Sequence, residues 1–101
     1  MESMIYEDKT LESISKVLNA LGNLARLRII KILSETKRPL HIKAVSRELK
    51  LEYTSVYRHI EVLRRNKLVE TFAVGRSKVV TLCKPNLIGN LLSESKKIIE
   101  Q

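Results

Sequence analysis

Apolar positions along this chain follow two rhythms. From Leu11 to Leu63 they recur at helical three- and four-residue spacing, and from Leu87 that spacing returns. Between them, "LVETFAVGRSKVVTLC" is rich in Val, Thr and Phe and reads as extended chain. The pattern predicts five helices and one hairpin. Leu11, Ile14, Val17, Leu18 and Leu21 mark a first helix, with Thr10 as its N-cap and Gly22 at its end. Asn23 caps the next helix. There Leu24, Leu27, Ile30 and Leu33 line one stripe, and Ile29 and Ile32 widen it. So broad an apolar surface predicts a central helix. Pro39 cannot continue it. In the short helix that follows, Ile42, Val45 and Leu49 face inward and Lys43, Arg47 and Lys50 outward, with His41 near the start as a capping residue.

A tight turn leads to a helix over 53–66. Val56, Ile60 and Leu63 fall on one side, and Thr54, Arg58, Glu61 and Arg65 on the other. Tyr57 and Arg64 lie on one flank, Ser55 and His59 on the opposite flank. Val74-Gly75-Arg76-Ser77 is a turn signal, giving a two-stranded hairpin over 68–83 with a basic tip. Cys83 is expected on a strand as a half-buried, inert thiol. Pro85 starts a last helix, where Leu87, Ile88, Leu91, Leu92, Ile98 and Ile99 share one side.

Charge sharpens this picture. The net charge is +8, and residues 37–84 carry all of the excess, twelve cations against four anions; both flanks are neutral. A basic middle between neutral ends is the electrostatic footprint of a nucleic-acid binder. At 101 residues the chain is expected to be one domain, with little room for a catalytic pocket and its scaffold. No nucleophile–base pair, metal cluster or phosphate loop is visible, so an enzyme is not expected. Trp is absent and four residues in a hundred are aromatic, which disfavours a single-strand binder built on stacking. The single cysteine fits a reducing cytoplasm. The acidic start "MESMIYEDKT" lacks the apolar core of a signal peptide, and no apolar run is long enough to span a bilayer.

Short helix, turn and amphipathic basic helix together form a helix-turn-helix over 41–66, which sends its second helix into the major groove. Arg58 suits bidentate contact with guanine. Tyr53, Thr54, Ser55 and Tyr57 place hydroxyls at the helix start, for phosphate or base edges. Arg76, Ser77 and Lys78 at the hairpin tip suit phosphate or the adjacent minor groove, and Lys43, Arg47 and Lys50 suit the DNA backbone. His59 is expected to pack or to bond phosphate. Tyr57 has an alternative, packing on the hairpin. The excess apolar surface of the terminal helices, 1–22 and 85–101, predicts dimerisation through Leu11, Ile14, Leu18, Leu87, Leu91, Leu92 and Ile98.

"LGNLARLRIIKIL", "LEYTSVYRHIEVLRRNKLVE" and "FAVGRSKVVTL" resemble the ArsR-type winged-helix transcriptional regulators over residues 18–83. The resemblance implies a mainly α fold with a small β-hairpin, the winged helix-turn-helix. It also implies a homodimer, formed by the first and last helices, that binds operator DNA and represses transcription in a prokaryotic cytoplasm, on the nucleoid. Family recognition positions fall on Tyr53, Thr54, Ser55, Tyr57, Arg58 and His59, and wing positions on Arg76 and Lys78. Many members sense metals through a cysteine pair in the helix before the recognition helix. Helix 41–50 has no cysteine and the last helix no His, Asp or Cys. The expectation is therefore a member without a metal or other cofactor, its small-molecule effector unidentified. Where the family often has glycine, in the turn and after the recognition helix, this chain has Lys50 and Lys67. Left-handed backbone at either costs about 1–2 kcal/mol, and Asn66 is the alternative host. Two other functions share the pattern: a non-specific architectural DNA binder, and a winged-helix module for protein or RNA contacts.

Overall fold

The computed structural model describes residues 6–100. Helices α1 (Asp8–Leu21) and α2 (Leu24–Thr36) lead into a short strand β1 (Leu40–His41). Helices α3 (Ile42–Leu49) and α4 (Tyr53–Arg65) follow, then strands β2 (Val69–Val74) and β3 (Ser77–Leu82), and α5 (Pro85–Ile99). The three strands form an antiparallel sheet in the order β1-β3-β2. Residues 1–5 and 101, the outermost ends of the expected domain and of its terminal helices, lie outside the described residues.

One apolar cluster holds these elements together. Ile29, Ile30 and Leu33 of α2 are its centre, joined by Ile42 and Val45 of α3, Val56, Ile60 and Leu63 of α4, and Val69 and Val80 of the sheet. Cross-strand partners share a sheet face, so Val69 with Leu82 and Thr71 with Val80 look toward the helices. Glu70, Phe72 and Val74 look outward. Gly75 turns the hairpin at φ +61°, as primed two-residue turns require.

The structure corrects several expectations. Thr10 lies inside α1 rather than capping it; the cap position is Glu7, whose side chain makes no capping bond. Leu24 is 63% exposed, because α2 turns Ile29, Ile30 and Leu33 inward instead. The hairpin gains a third strand, since Leu40 and His41 pair with Val80 and Val79. His41 sits at the N-cap of α3 but makes no side-chain capping bond. Cys83 falls just past β3, half-buried.

Lys50 and Lys67 both take left-handed backbone, at φ 56° and 60°, and so do Lys37 and Lys84. Asn66 does not; it stays at φ −96°, and its side-chain amide donates to the Val62 carbonyl. After each helix of the helix-turn-helix the chain reverses by the same device. Leu51 N–H reaches the Ser46 carbonyl and Leu68 N–H the Leu63 carbonyl, each bond wrapping around a left-handed lysine.

Candidate nucleic-acid interface

Val56, Ile60 and Leu63 are fully buried, so α4 is pinned to the body along one side. The opposite side, with Thr54, Arg58 and Arg65, is exposed. Glu52 precedes the helix and makes no side-chain capping bond, and no acidic residue stands in the first turn. The first N–H groups of α4 are therefore free to meet an anion. Tyr53 at this end is 40% exposed, and Ser55 is half-buried.

Tyr53 and Tyr57 stand one turn apart, with ring centroids 6.1 Å from each other. The hydroxyl of Tyr57 accepts from Lys78 Nζ at 2.9 Å, and that ammonium lies 5.1 Å from the ring centroid. This hydrogen bond holds Lys78 above the ordinary lysine pKa. Helix α4 and the hairpin are thus one connected surface, in which Tyr57 packs against the hairpin. Arg76 and Lys78 are exposed beside half-buried Ser77. Lys43, Arg47 and Lys50 are exposed on and just after α3.

Two residues on the flanks of α4 have partners within the chain. Arg64 is claimed by Glu61 through two bonds, 2.8 and 3.0 Å, so its charge is locally balanced. His59 is half-buried and turns toward α2, where its Nδ1 lies 3.1 Å from Arg26 Nη1. Burial, and then the Arg26 charge, hold its pKa below 6.5. Nothing in the hydrophobic pattern singles out Arg26, which reads there as one more cation on the central helix. Its significance is visible only in three dimensions.

Burial, with the Glu70 carboxylate adding to it, pushes the Cys83 thiol above its ordinary pKa, which suits an inert thiol. Among the described residues no group of three or more His, Cys, Asp or Glu side chains could hold a metal ion. No described helix is long and apolar enough to cross a membrane.

The terminal helices keep apolar surface exposed. Leu11, Ile14 and Leu18 on α1 are 48, 38 and 49% exposed, and Leu87 and Ile98 on α5 are 65 and 75% exposed. Leu91 and Leu92 are half-buried against the core. Between the two helices runs an open apolar groove of about 320 Å³, lined by Ile14, Val17, Leu18 and Leu91.

A core-anchored basic helix, a short helix before it and a hairpin beside it define a winged helix-turn-helix protein. Solved structures agree. The chain is similar to a transcriptional regulator homologue from Pyrococcus horikoshii OT3, at 28% identity and a TM-score of 0.74, covering 88% of this chain and 95% of that one. It is similar to the transcriptional regulator HlyU of Vibrio vulnificus CMCP6, at 25% identity and a TM-score of 0.68, covering 85% and 91%. The fold also matches Mb0332 of Mycobacterium bovis, at 18% identity and a TM-score of 0.79, covering 98% and 94%. That fragment is described as a homodimeric winged helix-turn-helix DNA-binding domain and a possible ArsR-family transcriptional regulator. No family model and no curated protein sequence matches the chain. Its structural neighbours are winged-helix transcriptional regulators, as the resemblance in the sequence implied.

Proposed function

We propose that this protein is a homodimeric regulator of transcription that reads specific sequences in double-stranded DNA and represses the genes beside them. It would work on the nucleoid in a prokaryotic cytoplasm, without enzymatic activity, metal or cofactor. One observation carries the reading: the exposed Arg58 stands on a helix whose other side is fully buried, beside a wing that presents Arg76 and Lys78. The major groove is about 12 Å wide and admits such a helix. Arg58 supplies base contact, with Tyr53, Thr54 and Ser55 at the helix start. Arg76, Ser77, Lys78, Lys43, Arg47 and Lys50 supply phosphate contact, which gives affinity and register. Two copies joined through α1 and α5 would set their reading helices in successive grooves, about 34 Å apart.

Selection of bound sequences from a random duplex pool tests this. A paired half-site with one-turn spacing is expected, with affinity that falls steeply as salt rises because counterions are released. Arg58→Ala should alter which sequences are selected, and Arg76→Ala should weaken all of them alike. Equal binding to every duplex would point instead to an architectural DNA-coating protein.

A further inference from the structure

Arg26 bonds to four partners at once, three of them through its guanidinium. Its backbone is fixed first, because the Asn23 side chain accepts from its N–H at 3.1 Å. From there its guanidinium spreads outward. Nε donates to the Ala20 carbonyl at 2.6 Å, Nη2 to the Asn19 carbonyl at 3.3 Å, and Nη1 meets His59 Nδ1 at 3.1 Å. The first two carbonyls end α1, where orphan acceptors and the negative end of the helix dipole favour a cation. The third partner stands in the middle of α4.

The geometry points to Arg26 as a positioning residue that sets the DNA-reading helix relative to the first helix, through a neutral His59. The inference rests on the function proposed above and deepens it. Since α1 carries much of the proposed dimer surface, its orientation reaches α4 through one rigid planar fork. A guanidinium can only donate, so Nδ1 must offer a lone pair and the imidazole proton must sit on Nε2. Protonating Nδ1 removes that lone pair and sets two cations in contact.

Arg26 is the charged group whose field reaches His59 among the described residues. From α1 it is Arg26's own carbonyl partners that lie nearby, and along α4 the neighbours one turn away are Ser55, Val56, Val62 and Leu63. Because the folded protein holds His59 below its ordinary pKa of 6.5, the bridge is intact above that pH and is lost as pH falls beneath it.

DNA affinity should therefore fall on acidification below pH 6.5. One proton limits the loss to about tenfold per pH unit. A histidine that touched phosphate would behave in the opposite way, since the phosphate would favour its charged form. The test is an affinity titration on the selected duplex from pH 8 to pH 5, in the parent and in His59→Gln, with imidazole nitrogen chemical shifts of the free protein recorded alongside. The expected result is a fall in the parent, a flatter profile in the variant, and the Nε2–H tautomer at high pH. Affinity that rises on acidification, profiles that coincide, or an Nδ1–H tautomer each overturns the bridge. A protein that binds no duplex overturns the proposed function alone, because the tautomer and titration of His59 still decide the bridge.

Discussion

Helix α4 and the terminal helices carry the same kind of apolar repeat, yet it ends differently in each. In α4, Val56, Ile60 and Leu63 are sealed to 0% exposure. In α1 and α5, Leu18 keeps 49%, Leu87 65% and Ile98 75%. Periodicity states that a helix has an apolar side; it does not state what covers that side. Around α4 the cover comes from α1, α2, α3 and β2 of the same chain. Along α5 the chain seals Ile88 and only half-buries Leu91 and Leu92. One helix is anchored so that its outer, basic face stays exposed, whereas the other two keep apolar side chains exposed.

The largest expected effect breaks the anchored side. Ile60→Ala removes a fully buried side chain at the centre of α4 and should cost about 2–5 kcal/mol. Small domains hold only about 5–15 kcal/mol in total, so much of the stability would go. Denaturant unfolding measures this directly. A loss well under about 1 kcal/mol would mean that α4 is not pinned by this side.

Next comes the uncovered side. Leu18→Glu places a charge in the apolar groove between α1 and α5. The protomer should unfold nearly as before, since Leu18 is already half exposed. Self-association should weaken by about 2 kcal/mol or more, roughly thirtyfold, as for a truncated interface anchor. Sedimentation across a concentration series reads the dimer, and a duplex with two half-sites should lose affinity in parallel. If the variant unfolds instead, Leu18 belongs to the protomer's own core and the contrast between the helices collapses.

The contrast also explains what the sequence made legible. The burial of Val56, Ile60 and Leu63 and the exposure of Arg58 follow from spacing, because a single turn angle fixes both. Lys43, Arg47 and Lys50 were legible for the same reason. The two-residue β1 was not, since Leu40 and His41 are too few to show any alternation. Leu24 misled because the apolar residues of α2 spread over a wide arc, so its inward direction is set by neighbours. The turn of His59 toward α2 depends on Arg26, thirty-three residues away, and no local pattern encodes such a bond. Gly22 ends α1 at φ −79°, where an added Cβ would lie 3.1 Å from the Leu18 carbonyl, so it serves close approach rather than a left-handed turn. Among the described residues the left-handed positions other than Gly75 went to lysines.

The smallest expected effect uses one of those lysines, at the junction that ends α4. Lys67 stands at φ 60° while Leu68 folds back to bond the Leu63 carbonyl at 3.0 Å. A side chain there strains the backbone by about 1–2 kcal/mol, part of which glycine returns through its freer unfolded chain. Lys67→Gly should therefore stabilise the fold by about 1 kcal/mol, or roughly 4–8 °C in Tm for a domain of this size. Lys67→Ala supplies the control, because it removes the same charge but keeps a Cβ in the strained conformation. Only the glycine variant should gain, and its gain should not depend on protein concentration, because the junction packs within one protomer beside buried Leu68 and Val69. Equal gains in both variants would trace the cost of Lys67 to charge repulsion along the basic face, and a concentration-dependent gain would place this junction with the terminal helices rather than with the anchored one.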